Sequence, residues 1–285
     1  MTEFCHITPT PYLDLFATGR DHHLVLAHLI EQDQAYADYY ANTPRHLDST
    51  LIMDNSAFEM YKEGKPMYPS DKLLDMARAV KADYIVMSDY PNEPANKTIT
   101  AAQELAPIFK HNGFGTFFVP QAEIGNLEGV VESFRWASKA DEVDYIGVSI
   151  LTAPNAFGVE KGNNLQRYLS RRKLMQILDN EGILQDARDQ GKMFHFLGMV
   201  DGPNEIELVA QWLHYIDTWD SSAAVWAAMC DIEFDNSPTG LINGKNEIEV
   251  DFSHGSATIK QLASAMKNMK YIDDLLEWPN GKYYD

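Results

Sequence analysis

Leu51-Ile52-Met53-Asp54-Asn55-Ser56-Ala57-Phe58 is an apolar run that delivers a carboxylate into small residues and then an aromatic ring. Ala82-Asp83-Tyr84-Ile85-Val86-Met87-Ser88-Asp89-Tyr90-Pro91 repeats the arrangement, closing on Asp89 before a proline that ends strand pairing. Phe117-Phe118-Val119-Pro120-Gln121 ends in an amide, and Tyr145-Ile146-Gly147-Val148-Ser149 in a hydroxyl. Short runs of this kind, rich in β-branched and aromatic residues, read as buried parallel strands over 23–30, 51–53, 84–88, 116–121, 145–151 and 194–199. Amphipathic stretches at 71–81, 97–111, 127–139, 165–190 and 204–215 lie between or after them and read as crossover helices. Ser70 is a candidate N-cap for the first, and the Gly202-Pro203 turn a start for the last. A final strand at 247–252, after turns at 236–240 and 243–244, and a closing helix at 256–276 complete the alternation.

Alternating strands and helices imply a parallel sheet, either open or closed. No GxGxxG or GxxxxGK[ST] loop follows the first strand, which removes the commonest open-sheet signatures. Polar residues stand at the ends of at least four runs: Asp54, Asp89, Gln121 and Ser149. A closed barrel gathers such residues round one mouth, whereas an open sheet gathers only those beside its switch point. The expectation is a (β/α)8 TIM-type barrel in a single domain, residues 1–285, since no repeat, linker or low-complexity segment divides the chain.

The chain is 45% hydrophobic, enough for a sizeable core. Its two cysteines, Cys5 and Cys230, form no CxxC pair and cannot make a thiolate zinc site, which fits a reducing, cytoplasmic setting. No stretch has the ~18 apolar residues of a membrane span, and residues 1–20 lack the features of a signal peptide, so no membrane is expected as a partner. With 42 acidic against 23 basic residues the net charge is −19, a field that repels nucleic acid. A polyanion then needs a local basic patch. Arg167, Arg171, Arg172 and Lys173 are the candidate, with Arg167 and Arg171 at helical i, i+4 spacing. The plain alternative is a solvated helix face.

A fourth carboxylate cluster is Tyr215-Ile216-Asp217-Thr218-Trp219-Asp220-Ser221-Ser222, where Asp220 follows an apolar segment and precedes small residues. Each acid alone fits a structural role, Asp54 as a helix N-cap for instance. Asp54, Asp89 and Asp220 together at one end of a barrel point to functional acids, because burying unpaired like charge is costly. Small residues beside Phe58 suit a flat ligand approaching the backbone under a stacked ring. Asp54, Asp89, Asp220, His195 and His254 would be the donors of a divalent-metal hydrolase, but no two have tight ligand spacing, so no metal is expected. His195 and His254 read more simply as structural histidines.

These segments resemble, in order from about 51 to 224, the tRNA-guanine transglycosylase superfamily and its phage relatives that insert 7-deazaguanines into DNA. Met53-Asp54-Asn55-Ser56-Ala57-Phe58 is similar to the family's T-D-S-G-G-F/Y, implying Asp54 as general acid and base and Phe58 as the ring stacked on the base. Val86-Met87-Ser88-Asp89 and Val119-Pro120-Gln121 resemble the segments whose Asp and Gln bind the guanine edge and carbonyl. Gly147 to Ser149 falls where a pocket-lining strand end is expected, and Phe196-Leu197-Gly198-Met199 resembles L-M-G-V, so that Leu197 and Gly198 would cover the other face of the base. Ile216-Asp217-Thr218-Trp219-Asp220 resembles I-D-M-F-D, implying Asp220 as nucleophile.

The family's Cys-x-Cys-x-x-Cys zinc motif and its basic tail are absent, so the expected barrel lacks a zinc-binding subdomain and DNA is preferred over tRNA as substrate. The resemblance implies a base-exchange glycosyltransferase without a cofactor. Its partners would be a nucleic acid and a free 7-deazaguanine base, in the cytoplasm of a bacterial or phage-infected cell, with assembly as a homodimer left open. The rival readings are an N-glycosidase or nucleoside-level transferase, which needs no polyanion, and a non-catalytic base-binding barrel.

Overall fold

A computed structural model describes residues 2–200, 202–234 and 255–277. Eight parallel strands run β1 Glu3–His6, β2 His22–Leu26, β3 Thr50–Asp54, β4 Tyr84–Val86, β5 Gly115–Phe118, β6 Tyr145–Ser149, β7 Met193–Leu197 and β8 Thr218–Ser221. Their order, β1-β8-β7-β6-β5-β4-β3-β2, is that of a nearly closed (β/α)8 barrel. At the seam β1 and β2 meet through Leu24 N, which donates to Cys5 Sγ at 3.1 Å.

Alternation along each strand divides the apolar residues into two layers. Leu51, Met53, Phe118, Ile146, Val148, Phe194, Phe196 and Trp219 face the helices. Ile52, Val86, Phe117 and Tyr145 fill the interior with Cys5 and Leu24. The same parity turns Asp54, Ser149, Leu197 and Asp220 toward the barrel axis, each two residues beyond an interior position.

The six expected strands are all present; β3 covers its run in full, and the other five stop earlier than theirs, the end of the 23–30 run forming the helix Ala27–Gln32 and the ends of the rest turning into the mouth. β1 and β8 were not read as strands: each has four residues, and Thr218-Trp219-Asp220-Ser221 is too polar to stand out. The strand expected at 247–252 and the turns before it lie outside the described residues. The stretch expected as one helix at 165–190 is two, Asn164–Asn180 and Ile183–Asp189, divided at Gly182, whose φ is +74°. Ser70 is not an N-cap: it is the first residue of the helix Ser70–Val80, Pro69 occupies the cap position, and no side chain caps the start. The stretch 204–215 is a short helix, Asn204–Leu208, followed by a 3-10 segment, Ala210–Tyr215.

An aspartate stands immediately before each even-numbered strand: Asp21, Asp83, Asp144 and Asp217. Three of them use the carboxylate identically, accepting a backbone N–H from the preceding odd strand: Leu51 to Asp83 at 2.7 Å, Thr116 to Asp144 at 2.8 Å and Phe194 to Asp217 at 2.7 Å. Each also meets one cation, Arg45, Lys110 and Arg188 respectively. This two-strand repeat, visible in retrospect in Asp83-Tyr84-Ile85 and Asp144-Tyr145-Ile146, ties the floor of the barrel opposite its mouth.

The expected cationic strip does not form, because Arg171 is fully buried. Its five N–H groups are all engaged: two bonds to the Glu205 carboxylate at 2.7 and 2.9 Å, and one each to the carbonyls of Val148, Leu197 and Gly198 at 2.9, 3.2 and 2.7 Å. The guanidinium also lies over the Phe196 and Trp219 rings. Spacing of i, i+4 put Arg167 and Arg171 on one face, but that face packs on the barrel, and only the tip of a paired, fully hydrogen-bonded arginine is stable there.

Removing one partner of such a pair leaves the other charge buried and unpaired. Arg171→Met should therefore lower unfolding free energy by about 3–5 kcal/mol, whereas Arg171→Met with Glu205→Met should recover much of the loss. Denaturant unfolding of the two single variants and the double variant checks this, and additive losses would contradict it.

Candidate active site

A cavity of about 320 Å³ opens at the C-terminal ends of the strands, lined among others by Asp54, Phe58, Asp89, Gln121, Leu197 and Asp220. Its size is at the lower end for small-molecule sites and suits a single heterocycle. Ser149 and Gly198 also line it. Gly147 does not. It lies two residues below Ser149 on β6, and a Cβ there would come within 2.6 Å of the Phe117 ring and 3.0 Å of Leu197 Cδ1. Gly147 thus makes room for core side chains under the pocket, and of the two residues Ser149 is the one that lines it.

Asp89 is held by amides on both oxygens. Asn55 Nδ2 donates to Oδ1 at 2.9 Å and Gln121 Nε2 to Oδ2 at 2.7 Å. Asn55 is fixed in turn, donating to the Met87 carbonyl at 2.7 Å and accepting from Ala57 N at 2.8 Å. The Thr152 hydroxyl donates to Gln121 Oε1 at 3.1 Å. A primary amide has two N–H groups, so Gln121 keeps one for a ligand carbonyl. Burial pushes the Asp89 carboxyl up to about 6, against the lowering effect of the two amide donors. Asn55 and Thr152 were not singled out from the sequence; nothing in spacing separates a buried tethering amide from a turn residue.

Asp54 Oδ1 accepts the Ser56 N–H at 2.7 Å. Burial pushes the Asp54 carboxyl well above the usual range, and the charges of Glu59, Asp89 and Asp220 add to the rise. Asp54 is therefore biased toward its protonated form. Ser56 has φ +58°, ψ 34°, an αL conformation costly for a residue with a Cβ. Its hydroxyl accepts from His28 N at 3.1 Å and lies 2.9 Å from His28 Nδ1, tying the ends of β2 and β3 together.

Asp220 Oδ1 accepts from Gly198 N at 3.2 Å and lies 2.9 Å from His195 Nε2. Gly198 has φ +69°, a conformation that favours glycine, and a Cβ on it would meet Ile150 Cδ1 at 2.8 Å, so that the isoleucine tip would have to shift. The Phe58 ring is 46% exposed at the rim, unlike the buried core aromatics, and is free to cover a ligand. Among the described residues the lining contains four acids, Asp54, Glu59, Asp89 and Asp220, and no lysine or arginine, a surface matched to N–H donors and hostile to bound phosphate or carboxylate.

Of the expected cationic residues, Arg167 is half-buried, and Arg172 and Lys173 are exposed. Arg172 lies over the Trp212 ring and Lys173 donates to Gln166 Oε1 at 2.8 Å. His254 lies outside the described residues. Among the described residues no three His, Cys, Asp or Glu side chains converge on a metal position, and no helix is long and apolar enough to cross a membrane.

A carboxyl raised by folding is protonated in the native state at pH values where the unfolded chain has lost its proton. The stability tied to Asp89 is therefore present in full below its unfolded value of 3.8 and is lost as pH rises through about 6. Relative to Asp89→Asn, whose side chain does not titrate, the wild type should lose about 2 kcal/mol of stability between pH 4 and 6. Paired denaturation curves across that range test this; a constant difference would mean that Asp89 titrates normally.

No protein-family model matches the sequence, and a search of curated proteins found no match.

Proposed function

We propose that this barrel is a base-exchange glycosyltransferase that replaces guanine by a 7-deazaguanine through a covalent aspartyl-glycosyl intermediate. The observation that carries the reading is the convergence of Asp54, Asp89, Gln121 and Asp220, from four strand ends, on one cavity sized for a heterocycle. Their environments differ in the way the chemistry needs. Asp54 is pushed toward the protonated form, Asp89 is clamped by two amides, and Asp220 has Oδ2 without a hydrogen-bond partner among the described residues. A further support is Ser56. It is strained into the αL region at the position where the resembled T-D-S-G-G-F/Y segment has a glycine.

In the first half-reaction Asp220 Oδ2 bonds to the anomeric carbon as the glycosidic C–N bond breaks. The electron pair leaves with guanine, which takes the Asp54 proton. In the second, the incoming base gives its N–H proton to the Asp54 carboxylate and its nitrogen displaces Asp220. The carboxylates return to their starting states, and the oxocarbenium-like transition state is stabilised by Asp220 in both directions. Asp89 would accept N–H donors of the base edge and the spare Gln121 N–H would meet its carbonyl, so a base lacking either leaves a buried polar group unpaired. Phe58 and Leu197 would cover the two faces.

DNA, rather than tRNA, is the proposed polymer. The burial of Arg171 favours a second reading, a nucleoside-level transferase or N-glycosidase, because it reduces the basic strip to Arg167, Arg172 and Lys173 on a chain of charge −19.

Asp220→Ala should cut exchange of labelled guanine by roughly 10³-fold or more with the fold retained, and a trapped adduct should map to Asp220. Unchanged kinetics in that variant would defeat the assignment. Reversing Arg167, Arg172 and Lys173 to Glu should weaken DNA binding and flatten its salt dependence while sparing free-base binding. Exchange on a free nucleoside, with no DNA bound at low salt, would replace the polymer reading by the nucleoside one.

A further inference from the structure

Below Asp220 the otherwise apolar filling of the barrel interior is interrupted by the buried polar side chains of His22, His195 and Thr218. His195 on β7 is fully buried, its Nε2 is 2.9 Å from Asp220 Oδ1, and its Nδ1 is 2.7 Å from Thr218 Oγ1. The ring is boxed in by Phe117 at 5.4 Å and His22 at 5.5 Å between centroids, both edge-on. Burial, then the neighbouring His195, hold the His22 imidazole well below its usual range, so His22 stays neutral and presents no charge to its neighbour. A histidine that served only to fill space would not need a partner on each nitrogen, nor would one of those partners be the proposed nucleophile.

We propose that His195 is a positioning residue for Asp220: the ring, fixed by Thr218 from behind, pins Oδ1 so that Oδ2 is the oxygen presented to the cavity. An imidazole with one ring proton donates through one nitrogen and accepts at the other. An ionised Asp220 can only accept, so the proton sits on Nε2 and the Thr218 hydroxyl donates to Nδ1. The Gly198 N–H binds the same oxygen, and the two donors together remove Oδ1 from competition and fix the carboxylate rotamer. Free rotation would otherwise let either oxygen drift from the line of attack, and a misplacement near 1 Å costs about 10²-fold in rate.

This rests on the reading of Asp220 as the nucleophile, and two measurements separate the claims. In base exchange, His195→Phe should lower kcat about 10²-fold with KM for the base nearly unchanged, because Asp89 and Gln121 are untouched. His195→Gln, whose Nε2 can still donate toward Asp220, should restore most of that loss. Nitrogen-15 spectra of the wild type should show a histidine protonated at Nε2 whose signal shifts in Asp220→Asn. A folded His195→Phe protein with wild-type kcat, or a His195 ring protonated at Nδ1 with bare Nε2, would overturn the proposal, and the spectrum decides even if His195→Phe fails to fold. A wild type that exchanges no base would overturn the nucleophile reading, whereas the spectrum reports the pairing by itself.

Discussion

The buried Arg171–Glu205 pair is the constraint on which the mouth of the barrel depends. Its guanidinium holds the carbonyls at the ends of β6 and β7, and one of these belongs to Gly198. The Gly198 carbonyl also accepts from Trp219 Nε1 at 2.8 Å, and its N–H reaches Asp220. Glu205 Oε2 accepts from Val200 N as well, which anchors the loop after β7. A charge pair out of water is tolerated only when every donor is met, and here all five are. The gain is geometric: three strands, β6, β7 and β8, are locked at the level where the proposed nucleophile stands.

A second constraint is dryness. Acids brought from separate strands into one cavity repel each other and lose hydration, so each requires a local device to keep its place. Asp89 has two amides, Asp54 a backbone N–H from a strained serine, and Asp220 a glycine N–H and an imidazole. Burial biases Asp54 toward its protonated form, which is what the role of an acid requires. The strain at Ser56 is sustained by the two bonds to His28, so part of the stability of the β2 and β3 ends is spent on aiming Asp54.

The opposite end of the barrel is organised for stability. Asp83, Asp144 and Asp217 latch neighbouring strands through single backbone N–H groups, and each is neutralised by one basic side chain at the rim. The closing helix Ile259–Glu277 is fastened at the seam, where Asp273 pairs with His6 at 2.9 Å and with Arg20 at 2.7 Å. Aspartates of the same type thus serve as latches before the strands and as candidate chemical groups after them. Position relative to the strand, and not residue type, separates the two.

Periodicity in the sequence was enough for the barrel class, for six of the eight strands, and for the polar residues at strand ends, because alternation and apolar runs are local properties of the chain. It also marked Asp54, Asp89, Gln121, Ser149 and Asp220, and the family resemblance added Leu197; all six line the cavity. The four-residue strands β1 and β8 escaped it, since too few residues carry a period and β8 mixes buried polar groups with Trp219. Helical spacing correctly grouped Arg167 with Arg171 but could not tell which side of that helix faces the barrel. The partner that settles the matter, Glu205, is 34 residues away. The same holds for Asn55 under Asp89, Thr152 beside Gln121 and His195 beneath Asp220: each is an ordinary residue until the closing of the sheet brings a distant group to its side chain. Which polar residues stand at the mouth is written in the local pattern; which of them are held, and by what, was decided only by tertiary contacts.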